Sequence, residues 1–362
     1  MAMTRSPPAS VHGGTDSGPP IRFDFSTNAH PLGPNPFVRE AVFRADRTRY
    51  PDPHYRRLRC SLGAFHGVDA DRIVVGASAS ELIWRLTRCF IATGAAAILT
   101  DDRTFGEYLR AAKVLGAPVA AERSAWPLDT PVLRWCCNPD NPTGAFQDQV
   151  CETALTGMPS ASVSHDLVVA DLAYWPFRTI LSSDELSLDE ACTAVLRTQW
   201  ADAVIQLWSP NKLHGLTGVR GAYLVLPAKP NSRINAETLS SLAPSWVLGA
   251  DGVALLQAHV CPDAFDFLRD TAPTLQAWKK GQDRRLIGAG WHPEPSPMHY
   301  GLWQPPVAPS LQSRWHAHLR EAGFKLRDAT SFHRPGWVRM VSCALPEVEK
   351  LLVLTEQFRG RA

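Results

Sequence analysis

The segment Ser209-Pro210-Asn211-Lys212-Leu213-His214-Gly215-Leu216-Thr217-Gly218-Val219-Arg220 sets one amine among groups that shape its reactivity. A hydroxyl lies three residues before Lys212 and a guanidinium eight residues after it. Gly215 and Gly218 allow close backbone approach. A lysine that forms an imine needs a lowered pKa, and a nearby cation such as Arg220 helps to lower it. Ser209 and Arg220 also suit a phosphate. Taken alone, a lysine in a glycine-rich loop is an ordinary surface residue, so its meaning depends on three further segments.

Cys137-Asn138-Pro139-Asp140-Asn141-Pro142-Thr143-Gly144 is a tight turn after a strand, able to hold the Asn141 amide rigidly towards a ligand hydroxyl. Val168-Val169-Ala170-Asp171-Leu172-Ala173-Tyr174 ends an apolar strand on a carboxylate. An acid there is costly to bury unless paired. A protonated pyridine nitrogen is a suitable partner, and Tyr174 suits a ring hydroxyl. The plainer reading of Asp171 is a helix cap. Val75-Gly76-Ala77-Ser78-Ala79-Ser80-Glu81 joins a strand to a helix through small residues, and the N–H groups at such a helix start favour a phosphate.

The elements that must position these groups are legible as apolar runs. Strands are expected at 73–75, 96–99, 132–136, 167–170, 204–207 and 222–226, with helices over 80–90, 106–115 and 147–156. This alternation points to an α/β fold with a large, mostly parallel sheet flanked by helices. Ligands in such folds sit at the carboxyl ends of strands, where the groups above lie. From about residue 245 the pattern turns helical, at 253–259 and 263–287, before short strands near Trp303 and over 337–342. We expect a flexible segment over 1–20, a segment over 21–45 packing on the smaller domain, a large domain over 46–230, and a connecting helix with a smaller C-terminal α/β domain over 231–362.

Composition narrows the field. The chain has 362 residues, with 37 basic and 35 acidic side chains and a formal net charge of +2, so no bulk attraction to nucleic acid or anionic membrane is expected. The first twenty residues have no apolar core of a signal peptide, and no stretch approaches the about 20 apolar residues of a membrane span. A soluble, cytoplasmic protein is the expectation. The eight cysteines are irregularly spaced and form no CxxC pair, which suggests reduced core or near-core thiols and no metal site.

Together and in this order, NPDNPTG, DLAY and SPNKLHGLTGVR resemble the class I/II aminotransferase family of pyridoxal-phosphate enzymes, of fold type I, over about residues 22–345. The resemblance implies pyridoxal 5'-phosphate as cofactor and a role for each matching residue. Lys212 is similar to the Schiff-base lysine, Asp171 to the partner of the pyridine nitrogen, and Asn141 and Tyr174 to the hydrogen-bond partners of the ring oxygen. Ala79, Ser80, Ser209 and Arg220 match the phosphate cradle, and Phe105 the aromatic that stacks on the ring. Tyr50 matches a tyrosine that reaches the phosphate of the neighbouring subunit, which implies a homodimer; Arg339 matches the clamp on the substrate carboxylate.

Within the family, Phe25-Ser26-Thr27-Asn28-Ala29-His30-Pro31-Leu32-Gly33 is similar to both histidinol-phosphate aminotransferases and the threonine-phosphate decarboxylases of cobalamin biosynthesis. His12-Gly13-Gly14 and Pro244-Ser245-Trp246-Val247 look more like the second group. A phosphorylated amino substrate is implied, with His12, Arg22 and His30 as possible contacts or as structural residues. Leu172, Asn211 and Gly221 depart from the usual family pattern, as does Gly-Ala-Ser at 76–78. A non-catalytic protein of the same fold is the rival reading. The retained Lys212 and Asp171 argue against it, as does the short stretch before the matched region.

Overall fold

The computed structural model describes residues 12–92, 94, 97–127, 130–149, 151, 166–182, 198, 200–228 and 234–361. Its first strand, Phe23–Asp24 (β1), is followed by Ile73–Gly76 (β2), Ala97–Leu99 (β3), Val119–Ala120 (β4) and Val132–Cys137 (β5). Leu167–Asp171 (β6), Ile205–Trp208 (β7) and Ala222–Val225 (β8) complete a seven-stranded sheet in the order β2-β8-β7-β6-β5-β3-β4. β5 to β7 run parallel and are almost wholly buried. Helices cover both faces of such a sheet, which is why these strands read as continuous apolar runs without alternation. β8 is antiparallel to both its neighbours, a reversal that apolar content does not encode.

Register brings distant segments together. Cys137 pairs with Asp171 and Asp171 with Leu207, so the chain leaves β5, β6 and β7 side by side. Gly76 pairs with Ala222 and Trp208 with Tyr223, so the helix after β2, the loop after β7 and the approach to β8 converge at the same end. Two sequence expectations extend past the described residues: the strand expected to begin at 96 is seen from Ala97, and only parts of the helix expected over 147–156 are described.

After helices Ala250–His259 and Pro262–Gly288, the strands His292–Pro293 (β9), Tyr300–Gln304 (β10), Phe324–Lys325 (β11), Arg327–Asp328 (β12) and Val338–Val341 (β13) follow. Four of them form an antiparallel sheet ordered β12-β13-β10-β9, while β11 pairs in parallel with β1. The proline at 273 sits inside the 27-residue helix, where the missing N–H usually weakens a turn. The packing of Phe265, Leu268 and Leu275 on the apolar cluster around Tyr300 holds the helix across it.

Phe25 ties the N-terminal segment to this sheet. Its N–H donates to Lys325 (2.9 Å), its carbonyl accepts from Val341 (2.9 Å), and its ring is buried among Trp303, Trp315, Phe324 and Met340. Of the segment expected to be flexible, residues 1–11 lie outside the described residues, and Asp16 pairs with Arg320 (2.6 Å) and Lys325 (2.7 Å). Phe25→Ala is expected to cost about 3–5 kcal/mol of stability, read from the denaturant midpoint, because it leaves a cavity that the surrounding rings cannot fill.

Candidate active site

The turn after β5, the end of β6, the loop after β7 and the helix after β2 enclose one pocket. Ala79, Ser80, Phe105, Asn141, Asp171, Tyr174, Ser209, Lys212 and Arg220 all line it, together with Cys137 and Asn211. It shares Lys212, Tyr174, Asn141 and Phe105 with a larger cavity of about 1020 Å³, which His12 and Arg339 also line. Thirteen of the fourteen candidate residues singled out in the sequence, Arg22 and His30 included, therefore line these two cavities. Tyr50 is the exception. It is 77% exposed and stacks on the exposed Trp246 ring at 4.4 Å, outside the pocket of its own chain.

Asp171 is 3% exposed. Burial pushes its carboxyl pKa up, while the Tyr108 hydroxyl, the Lys212 charge and the Ala173 N–H oppose the rise. Tyr108 donates to one carboxylate oxygen at 2.7 Å, and the Ala173 N–H donates to the other at 3.1 Å. Asp171 lies four residues before the helix Trp175–Ser182, so its bond from the Ala173 N–H tightens the turn ahead of the helix and does not cap it. Burial pushes the Lys212 amine below its usual range; Asp171 works against that shift, and Arg220 and Arg339 work with it. The Lys212 Nζ lies 5.3 Å from the centre of the Tyr174 ring. Burial also drives the Tyr174 and Cys137 acids up, so both stay neutral at ordinary pH.

At the phosphate side, Ser78 caps the helix Ala79–Ala92, its Oγ accepting from the Glu81 N–H at 3.1 Å. The Glu81 carboxylate accepts in return from the Ala77 N–H at 3.2 Å. These two bonds fix the helix start, and Ser78, Ala79 and Ser80 there line the pocket. The Ser209 hydroxyl is buried without a partner among the described residues. Arg339 donates through Nη1 to Asn141 Oδ1 (2.6 Å) and through Nη2 to the Ser26 carbonyl, leaving its buried Nε unpartnered. His12 lies at the mouth, 3.8 Å from Glu107 and 6.1 Å from the Phe105 ring. Arg22 and His30 also line the larger cavity; His30 is buried, packs at a tilt against Phe267 and meets the Thr271 hydroxyl at 3.2 Å.

Sequence reasoning missed Tyr108. It is fully buried, stacks on Trp135 at 4.8 Å and supplies the closest hydrogen bond to Asp171. The one signal was its place three residues after Phe105, one helical turn along.

An amine and a carboxylate are thus buried in one pocket, beside a helix start and the Phe105 ring. The chain belongs to the family described as aminotransferase class I and II, whose profile matches residues 20–357. It is 31% identical over 221 residues to the histidinol-phosphate aminotransferase of Macrococcus caseolyticus, covering 55% of this chain and 57% of that one. It is 29% identical over 208 residues to the enzyme of the same name from Ruegeria pomeroyi, covering 54% of each. The chain thus spans little more than half the length of the curated relatives it matches.

The fold is that of solved fold type I enzymes. Histidinol-phosphate aminotransferase from Sinorhizobium meliloti, in complex with pyridoxal-5'-phosphate, superposes with a TM-score of 0.73 at 20% identity, covering 95% of this chain and 92% of that one. L-threonine-O-3-phosphate decarboxylase from Porphyromonas gingivalis gives 0.71 at 17% identity, covering 93% and 99%.

Tyr108→Phe removes a charge-directed hydrogen bond and raises the Asp171 pKa further. The folded state then holds the proton more tightly than the unfolded one, so stability falls as pH rises above the unfolded carboxyl value of about 3.9. The expected loss at neutral pH is about 1.5–3 kcal/mol, shrinking as the pH is lowered towards that value. Denaturant titrations of the cofactor-free protein across the acid range read it.

Proposed function

We propose that this chain is a pyridoxal-phosphate-dependent enzyme acting at the α-carbon of a phosphorylated amino substrate. The observation that carries the reading is the meeting of Lys212, Asp171 and the start of the helix Ala79–Ala92 in one pocket. The residues fit the cofactor chemically. Lys212 has the lowered pKa a condensing amine needs, and Asp171 offers a buried negative charge to a ring nitrogen. The partnerless Ser209 hydroxyl, the first-turn N–H groups and Arg220 suit the phosphate. When bound, the cofactor's cationic ring takes up the electron pair released at the substrate α-carbon.

The chain's own groups divide the remaining work. Phe105 would help to hold the aromatic ring of the cofactor, and Asn141 and Tyr174 would hydrogen-bond its oxygen. Arg339, with its Nε free, holds the substrate carboxylate. Lys212 would hold the cofactor and would carry the proton at the α-carbon. Arg110, Lys113 and Arg327 line the outer cavity beside His12 and favour a distal phosphate. Residues 46–230 would hold the cofactor, and 231–362 would supply Arg339 as the smaller domain. Tyr50, exposed on its own chain, would reach the site of a second copy in a homodimer.

The narrower reading is a threonine-phosphate decarboxylase-like enzyme, supported by His12-Gly13-Gly14 at the cavity mouth. The names of the curated relatives favour a second reading, a histidinol-phosphate-type aminotransferase. Incubation with O-phosphothreonine, and separately with histidinol phosphate plus 2-oxoglutarate, distinguishes them. CO₂ release without glutamate supports the first, and glutamate formation supports the second. Neither product would refute both substrate readings.

Two variants test the site. Lys212→Ala is expected to abolish the visible absorbance that the unaltered chain shows with added pyridoxal phosphate. Arg339→Lys keeps the charge but loses the fork, and is expected to raise KM for the amino substrate about 10- to 100-fold, the loss of one charged hydrogen bond.

A further inference from the structure

Behind the lysine loop lies a buried polar chain whose protons can be assigned from geometry. Asn35 precedes the helix Pro36–Phe43 and caps it, Oδ1 accepting from the N–H groups of Phe37 (3.1 Å) and Val38 (3.3 Å). That use fixes which end of the amide is oxygen. Nδ2 is therefore the donor, to the Ala264 carbonyl at 2.8 Å and to His214 Nδ1 at 3.2 Å. His214 must accept on Nδ1, so its own proton sits on Nε2. Nε2 lies 3.0 Å from His259 Nδ1, which accepts in turn. Both rings are buried, which pushes His214 well below its usual range and His259 down to about 3. Each ring is neutral and has one tautomer.

The backbone repeats the grip. The Asn35 N–H donates to the His214 carbonyl at 2.9 Å, and the His30 N–H donates to the Lys212 carbonyl at 2.9 Å. Gly215 turns the loop at a φ of +64°, and a Cβ there would stand 2.5 Å from the Gly33 carbonyl oxygen. The N-terminal segment therefore holds the backbone of residues 212 and 214. A lysine side chain has many rotamers, so what the fold can fix is the backbone from which it springs.

We propose that Asn35 and His214 form a clamp that positions Lys212 opposite Asp171, with His214 acting through the backbone and not on substrate. This rests on the reading of Lys212 as the cofactor lysine. The clamp makes a specific demand: an acceptor at the place of His214 Nδ1. His214→Asn puts its side-chain oxygen near that place. His214→Gln puts its amide nitrogen near Nε2, keeping the contact with His259 and losing the acceptor.

In the cofactor-free protein, amide hydrogen exchange over residues 208–220 should match the unaltered chain in H214N and speed up in H214Q. Uptake of pyridoxal phosphate, followed by visible absorbance, should slow by up to about 100-fold in H214Q and stay near the original rate in H214N, since a displacement of about 1 Å carries that cost. Asn35→Ala removes the donor, together with the helix cap, while leaving the sequence of the loop unchanged, and should behave as H214Q does; it keeps the test open where H214Q fails to fold. Undiminished protection and uptake in H214Q and Asn35→Ala would overturn the clamp, as would equal damage in H214N. If the unaltered chain takes up no pyridoxal phosphate, the cofactor reading falls, while the exchange measurement still decides whether the clamp holds the loop.

Discussion

A carboxylate and an amine share one buried pocket at the ends of neighbouring strands, and each makes the other's burial tolerable. Removal from water favours the neutral forms of both, and the opposite charge of each resists that drift. Such a pair is costly unless further hydrogen bonds support it. Tyr108 and the Ala173 N–H supply that support to Asp171. Much of the surrounding architecture serves to bring these groups to the ends of β6 and β7.

Distant parts of the chain meet for this purpose. Register across β5, β6 and β7 aligns Cys137, Asp171 and Leu207, and the antiparallel β8 returns Arg220 towards the helix that starts at Ala79. The C-terminal sheet sends Arg339 to Asn141. The N-terminal segment joins both regions, since Phe25 is sewn into the C-terminal sheet while His30 and Asn35 grip the lysine loop. Binding groups from one end of the chain thus depend on packing at the other.

Much of this was legible because the informative residues sit in short contiguous stretches. Parallel strands buried on both faces read as apolar runs, and the polar turns after them hold Asn141, Asp171 and Lys212. What escaped the sequence is long-range or very short. Tyr108 meets Asp171 across 63 residues, and His214 meets Asn35 across 179. β1 and β11 have two residues each, too few for a periodic signal. The reversed direction of β8 follows from its pairing, to which an apolar run is blind. Proline 273 argues for a break that packing overrides.

The most direct test of the central assignment is to reduce the protein with borohydride in the presence of pyridoxal phosphate, digest it, and locate the added mass. The account requires the phosphopyridoxyl group on the peptide containing Lys212, in a ratio near one per chain. Label on other lysines, with residue 212 unmodified, would contradict it.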